Sequence, residues 1–267
     1  MSSLDEAQVQ ALRLIRRQFP PGSTILDIGF GRGKFLGSLL DLGYRTIGTE
    51  ISQGRVSEVE DKLKRKGGSP HLYMVENLAL VPELPDCTTC FQVLEHLKDP
   101  AAFLHSFPPG PAYFSVPNKK RWWVQITRGR YEFWDCPPNH LHRFDANSLK
   151  RVLESGGYTD IRIVGLSIVH REILQPIYSL LVHANSYSCG IRSEDSVLKP
   201  FLGAAQLLVW PFTTFLAALL NKFGYQATNL LAYGIKEGGG VEVGEGIGIG
   251  QRPEGGGKDK DLSNLSE

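Results

Sequence analysis

Residues 24–50, TILDIGFGRGKFLGSLLDLGYRTIGTE, narrow the possible folds more than any other part of this chain. Thr24, Ile25 and Leu26, with Ile28, form a short apolar run of the kind a parallel strand covered on both faces requires. Gly29, Gly31 and Gly33 follow at once, and glycine lets a backbone turn sharply and lets a ligand approach with no Cβ in the way. From Lys34 the apolar positions Phe35, Leu36, Leu39 and Leu40 fall at helical spacing, with Gly43 as a stop. A second strand over residues 45–51 then carries the acid Glu50. Strand, glycine turn, helix and strand make a mononucleotide-binding half-fold, whose ligand sits beyond the carboxyl ends of the strands. An acid about twenty residues past the turn can accept hydrogen bonds from both ribose hydroxyls.

The third glycine comes one residue too early for the dinucleotide pattern G-x-G-x-x-G, so a pyrophosphate lacks its usual seat. A cofactor without phosphates needs only the close approach. Read from Asp27 to Gly33, the turn resembles motif I of class I S-adenosylmethionine-dependent methyltransferases, D/E-x-G-x-G-x-G. Further on, Val93-Leu94-Glu95-His96 with Asp99-Pro100 resembles the motif after strand four in the branch that includes the ubiquinone-pathway O-methyltransferases, and Pro137-Pro138-Asn139-His140-Leu141-His142 resembles the segment before that branch's last helix. The resemblance implies an α/β, Rossmann-like seven-stranded sheet with helices on both faces and an antiparallel last strand. It also implies S-adenosylmethionine as cofactor, held by Asp27, Gly29, Gly31, Gly33, Glu50 and Ile51, with Asn77 toward the adenine and Gln92 beside it. In some relatives an acid three residues before the Glu-His pair helps to hold a divalent metal. Gln92 occupies that position here, and no metal is expected.

Catalysis of methyl transfer to oxygen calls for a base, and Glu95, His96, His140 and His142 are the candidates. On an extended segment, His140 and His142 are two apart and would point the same way. The competing reading of each is structural: a capped loop, or a ring packed and bonded to a backbone carbonyl.

The remaining chain reads in order as follows. Residues 4–19 form a helix with Leu12, Ile15 and Phe19 on one face, covering the cofactor side of the sheet. Residues 52–66 form a charged helix with little apolar face. Residues 71–75 are strand three, 87–93 strand four and 112–116 strand five. Asp99 and Pro100 cap and open a helix, and residues 119–144 form a long aromatic loop. Asp145 caps a helix with Leu149, Val152 and Leu153 buried, residues 158–169 are strand six, and residues 229–236 are the last strand. The domain reading is a methyltransferase core over 1–170, an apolar helical insertion over 171–226, the last core strand within 227–236, and a glycine-rich tail over 237–267 that lacks the apolar content for a core.

Residues 201–220 carry no charge, and one helix of them would be about thirty ångströms long, enough for a bilayer. A single span would separate the last strand from its sheet. Two shorter helices kinked at Pro211 are expected instead, acting as an acceptor lid, as a peripheral contact through 199–222 at the inner face of a membrane, or as a homodimer interface. With 267 residues and a net charge of +1, nothing favours nucleic acid, which asks for a basic face. Cys87 and Cys90 have C-x-x-C spacing, but a zinc site needs a second pair. Met1 to Gln10 is polar with no apolar core of a signal peptide, so a cytoplasmic protein is expected. The acceptor is read as a small molecule or the head group of a lipid-linked amphiphile. The alternatives are a non-catalytic, membrane-associated binding module of the same fold and, behind it, an NAD-dependent oxidoreductase.

Overall fold

The computed structural model describes residues 4–65, 67–74, 84–128, 137, 139–174 and 199–237. It builds a seven-stranded sheet in the order β3-β2-β1-β4-β5-β7-β6. The strands are β1 (Thr24–Ile28), β2 (Arg45–Glu50), β3 (His71–Met74), β4 (Cys87–Phe91), β5 (Gly110–Pro117), β6 (Tyr158–Val164) and β7 (Asn229–Lys236). β1 to β5 run parallel, and β7 inserts antiparallel between β5 and β6. β6 is shorter than expected and irregular between Thr159 and Arg162, where Asp160 takes φ +47°.

The central strands β1 and β4 are buried along their whole length, as strands covered on both faces must be. Alternate residues serve opposite faces. Leu26, Ile28, Cys90 and Phe114 pack with Phe103, Leu104, Phe107, Leu149 and Leu153; these belong to helices α4 (Pro100–His105) and α6 (Ala146–Ser155) and the turn after α4. Ile25, Cys87, Phe91 and Tyr113 pack on the other face with Ala7, Ala11 and Ile15 of α1 (Glu6–Gln18) and Phe35 and Leu39 of α2 (Lys34–Asp41). Cys87 and Cys90 are thus in different layers, and burial pushes both thiols up.

Helix boundaries follow their capping residues. Asp5 accepts the Gln8 N–H at 2.8 Å while its own N–H donates to the Gln8 side chain, and Asp145 makes the same reciprocal box with Ser148. Asp99 accepts the Ala102 N–H ahead of Pro100. The helix over residues 52–66 is corrected in both length and face. α3 spans Gln53–Lys64 and buries Val56, Val59 and Leu63, a narrow stripe that its charged flanks obscure in the sequence.

Two expectations about the later chain also fail. The aromatic loop contains a short helix, α5 (Trp122–Thr127). The uncharged stretch is one continuous helix, α8 (Lys199–Lys222), rather than two around Pro211. Thr213 and Thr214 both donate their hydroxyls to the Trp210 carbonyl beside the proline. Among the described residues, no helix is long and apolar enough to cross a membrane. α7 (His170–Ile173) and the C-terminal half of α8 enclose a small apolar cluster of Ile168, Ile173, Ala217, Leu220 and Ala227. Asn221 locks this unit to the chain leaving β6, bonding both the N–H and the carbonyl of Ile168.

Candidate active site

The parallel strands end along one edge, and the turns that follow them build the site. The N–H groups of Gly29 and Phe30 donate to the Thr49 carbonyl, fixing the glycine turn against the tip of β2. All three glycines have positive φ, a region that other residues enter at a cost. Their surroundings differ. A Cβ on Gly29 would lie 2.4 Å from Val93 Cγ2, and one on Gly33 would lie 2.3 Å from Val59 Cγ1. Among the described residues, a Cβ on Gly31 would meet nothing nearer than the Gly29 carbonyl at 4.0 Å. Gly29 and Gly33 therefore let neighbouring elements close on the turn, and Gly31 leaves its outer side open.

Glu50 binds that turn. Its Oε2 accepts the Gly31 N–H at 2.8 Å and its Oε1 accepts the Ile51 N–H at 3.0 Å. Each carboxylate oxygen keeps a further lone pair, so a ribose diol can still be received. Ile51 follows with its side chain 40% exposed, an aliphatic surface beside the acid on which a flat base can lie. An open glycine, a carboxylate held by two N–H groups and an exposed aliphatic fit an adenosyl cofactor that carries no phosphate. Asp27 is placed differently. It is 2% exposed, accepts the Thr89 hydroxyl at 2.8 Å, and burial pushes its carboxyl up to about 7. It ties β1 to β4 beneath the turn. Asn77 lies outside the described residues.

At the end of β4 the chain reverses through Gln92, which has φ +58°. Its N–H donates to the Ser115 carbonyl at 2.8 Å and its amide to the Ser115 hydroxyl at 3.1 Å, so this side chain is turned toward β5. A single 3-10 turn, Leu94–His96, then presents Glu95 and His96. Glu95 is 1% exposed, and its carbonyl accepts the N–H groups of Leu141 and His142, which docks the segment before α6 onto this turn. His140 is thereby brought against His96, with ring centroids 4.8 Å apart and an interplanar angle of 70°. His142 departs from the expected shared direction. Its Nε2 lies 3.3 Å from the Lys98 carbonyl, and its ring leans on Phe144. The segment is not an extended strand here, so the two-residue spacing does not align the rings.

His96 Nδ1 is 2.6 Å from the Asn139 carbonyl and Nε2 is 3.9 Å from Glu95 Oε1. A carbonyl only accepts, so the Nδ1 carries the proton and Nε2 is the nitrogen left to receive one. The ligand atoms offered by Glu95, His96 and His140 all lie within 4.8 Å of one another. The structure thus assembles a three-donor cluster where the sequence suggested no metal.

Three participants were not among the site residues expected from the sequence. Thr89 showed only as one of two threonines in a buried strand. Asn118 closes the end of β5 onto the connection between α8 and β7: its N–H donates to the Thr228 carbonyl, and its amide donates to Gln226 Oε1 and the Ala227 carbonyl. Glu172, buried in α7, accepts the Thr228 N–H at 3.1 Å, and burial pushes it up to about 7. Its signal was a lone acid in an apolar stretch.

A family model described as a methyltransferase domain matches residues 4–163. The chain is 30% identical over 150 residues to a ubiquinone biosynthesis O-methyltransferase of Proteus mirabilis, covering 52% of this chain and 60% of that relative. It is 24% identical over 158 residues to the protein of the same description from Idiomarina loihiensis, covering 54% of this chain and 65% of that one. Among solved structures, a SAM dependent methyltransferase from Archaeoglobus fulgidus superposes with a TM-score of 0.51 at 19% identity, over 86% of this chain and 94% of the other. The cyclopropane synthase MmaA2 from Mycobacterium tuberculosis gives 0.53 at 18% identity, over 87% and 85%. Both show a shared fold.

Proposed function

Because the chain belongs to the methyltransferase-domain family, whose cofactor is S-adenosylmethionine, we propose that it methylates a hydroxyl oxygen on a small molecule or on the head group of an amphiphile. The observation that carries this reading is the convergence on one sheet edge of the open Gly31 turn with Glu50 and the cluster of Glu95, His96 and His140. The relatives named as O-methyltransferases support the choice of oxygen.

When bound, S-adenosylmethionine supplies a methyl group on a positively charged sulfur, ready for direct displacement. The chain's part is mainly alignment and proton handling. Glu50 and Ile51 hold and orient the adenosyl end, and Gly31 lets it lie against the backbone. His96, steered through Nδ1 by Asn139, takes the acceptor's hydroxyl proton on Nε2 as the oxygen attacks. Glu95, 3.9 Å away, stabilises the imidazolium that results. The same donor cluster supports a second reading, in which Glu95, His96 and His140 hold a divalent cation that activates the acceptor oxygen.

Calorimetric titration with S-adenosylmethionine and, separately, NAD, on the parent and on Glu50→Ala, tests the cofactor half. Micromolar binding of the former alone, weakened at least tenfold by the substitution, is expected; preference for NAD would overturn the reading. Turnover with hydroxyl-bearing acceptors, with and without chelator, tests the rest. Tight cofactor binding with no turnover on soluble or lipid-linked alcohols would favour a binding module.

A further inference from the structure

The face that α8 turns away from its own apolar cluster is built to meet something. Thr213, Ala217 and Leu220 are buried, while Phe212, Phe215, Leu219 and Phe223 recur at three- and four-residue steps on the outer side. The three phenylalanines are 66%, 66% and 70% exposed. Ile126 of α5, 51% exposed, lies near the end of this stripe, where Gln125, Phe223 and Tyr225 line an open depression. A few scattered exposed apolar residues are ordinary, but a contiguous aromatic row on one helix marks a contact surface.

The charges around this row decide between partners. Lys222, which precedes Phe223 in the chain, and Arg128, which caps the end of α5, are exposed. No Asp or Glu occurs anywhere from Ser196 to Lys236, nor from Lys119 to Arg130, although those two stretches supply all of α5 and α8. An aromatic row on two stretches whose own charges are all basic is complementary to an apolar layer under negative head groups. A second copy of the same face would set Lys222 and Arg128 against their own equivalents.

We propose that Phe212, Phe215, Leu219, Phe223 and Ile126, with Lys222 and Arg128, dock the protein on an anionic phospholipid bilayer. The position serves the chemistry. Four residues separate α5 from β5, and Trp122 N–H bonds the Gln226 carbonyl next to Asn118 at the carboxyl edge, so the docked face adjoins the acceptor side of the site. The proposal deepens the amphiphile reading and rests on it only for the identity of the acceptor.

Flotation of the full chain with phosphatidylcholine vesicles, with and without phosphatidylglycerol, is the test. The parent floats with the anionic vesicles, at least tenfold less with the neutral ones, and less as salt rises. Phe212→Ser, Phe215→Ser and Phe223→Ser combined lower partitioning by roughly a hundredfold, and Arg128→Gln with Lys222→Gln lowers it for anionic vesicles only. Both variants keep the parent's thermal midpoint and S-adenosylmethionine affinity, which separates lost docking from lost folding. Absent flotation of the parent, equal flotation of the serine variant, or a dimer in sedimentation that the serine variant abolishes would each overturn the proposal. Flotation by a parent that fails to bind S-adenosylmethionine would leave docking standing and remove the methyltransferase reading instead.

Discussion

Replacing Gly31 and Gly33 separately by alanine distinguishes a glycine kept for a ligand from one kept for packing. Both have left-handed φ, +55° and +66°, and an alanine there costs about 1–2 kcal/mol, partly offset by the stiffer unfolded chain. At Gly31 no packing is lost, because among the described residues the added Cβ meets no atom closer than 4.0 Å. At Gly33 the methyl comes 2.3 Å from Val59 Cγ1, in the layer formed with Leu36, Val56 and Leu63. Overpacking of that kind adds about 1–3 kcal/mol. Urea denaturation is therefore expected to show a loss near 1 kcal/mol for Gly31→Ala and about 2–4 kcal/mol for Gly33→Ala. Calorimetry under conditions where both stay folded should show the reverse emphasis. Gly31→Ala raises the S-adenosylmethionine Kd by about tenfold or more, some 1.4 kcal/mol, because its methyl occupies the open side of the turn. Parent-like affinity in Gly31→Ala would refute the placement of the cofactor over that glycine. Equal destabilisation by both substitutions would refute the division between open and packed positions.

Three further outcomes follow from other parts of the site and sheet. Asp27 is pushed up to about 7, so its contribution to stability is full below its unfolded value and fades as pH rises through the folded one, by at most roughly 4 kcal/mol at 1.36 kcal/mol per unit. Asp27→Asn should flatten that part of the pH dependence between about pH 4 and 8, leaving the smaller slope of the same sign from Glu172; denaturation series across that range measure it. Lys236 Nζ donates to the carbonyls of Leu104, His105 and Phe107 at 2.9, 2.8 and 2.8 Å, so Lys236→Met should cost about 1–3 kcal/mol in chemical denaturation. In methyl-transfer assays His96→Ala should lower kcat by about a hundredfold or more, and His142→Ala by less than about tenfold. Equal losses would place the proton acceptor elsewhere.

The half-fold was legible because its signals are local. The β1 run, the glycine turn, the periodicity of α2 and the acid closing β2 each need only a few neighbouring residues, and each lies where the spacing predicted. Capping chemistry was legible for the same reason, since Asp99 and Asp145 act on N–H groups within three residues. What failed depends on partners distant in sequence. The buried stripe of α3 is only three residues among nine largely polar ones, and it becomes apolar surface only when Phe30, Leu36 and Leu72 pack on it. Pro211 should interrupt a helix by its own chemistry, yet α8 runs through it. Thr89 was invisible because its function is a bond to Asp27, 62 residues earlier.

The histidines show why the site is harder to read than the fold. Spacing alone paired His140 with His142, whereas the chain path pairs His140 with His96, 44 positions away, and sends His142 to Lys98. The agent is a backbone atom: the Glu95 carbonyl takes the N–H groups of both Leu141 and His142 and so fixes how the later segment lies on the earlier turn. Any residue can supply a carbonyl, so composition and motif carry no record of this bond. Its consequence is specific nonetheless. With Leu141 and His142 pinned by their amides, the preceding ring is directed to Glu95 and His96 and the following ring away from them. The three-donor cluster here is therefore a property of how two loops dock, and a substitution that shifts the 3-10 turn at residues 94–96 would scatter it while every side chain in it remained present.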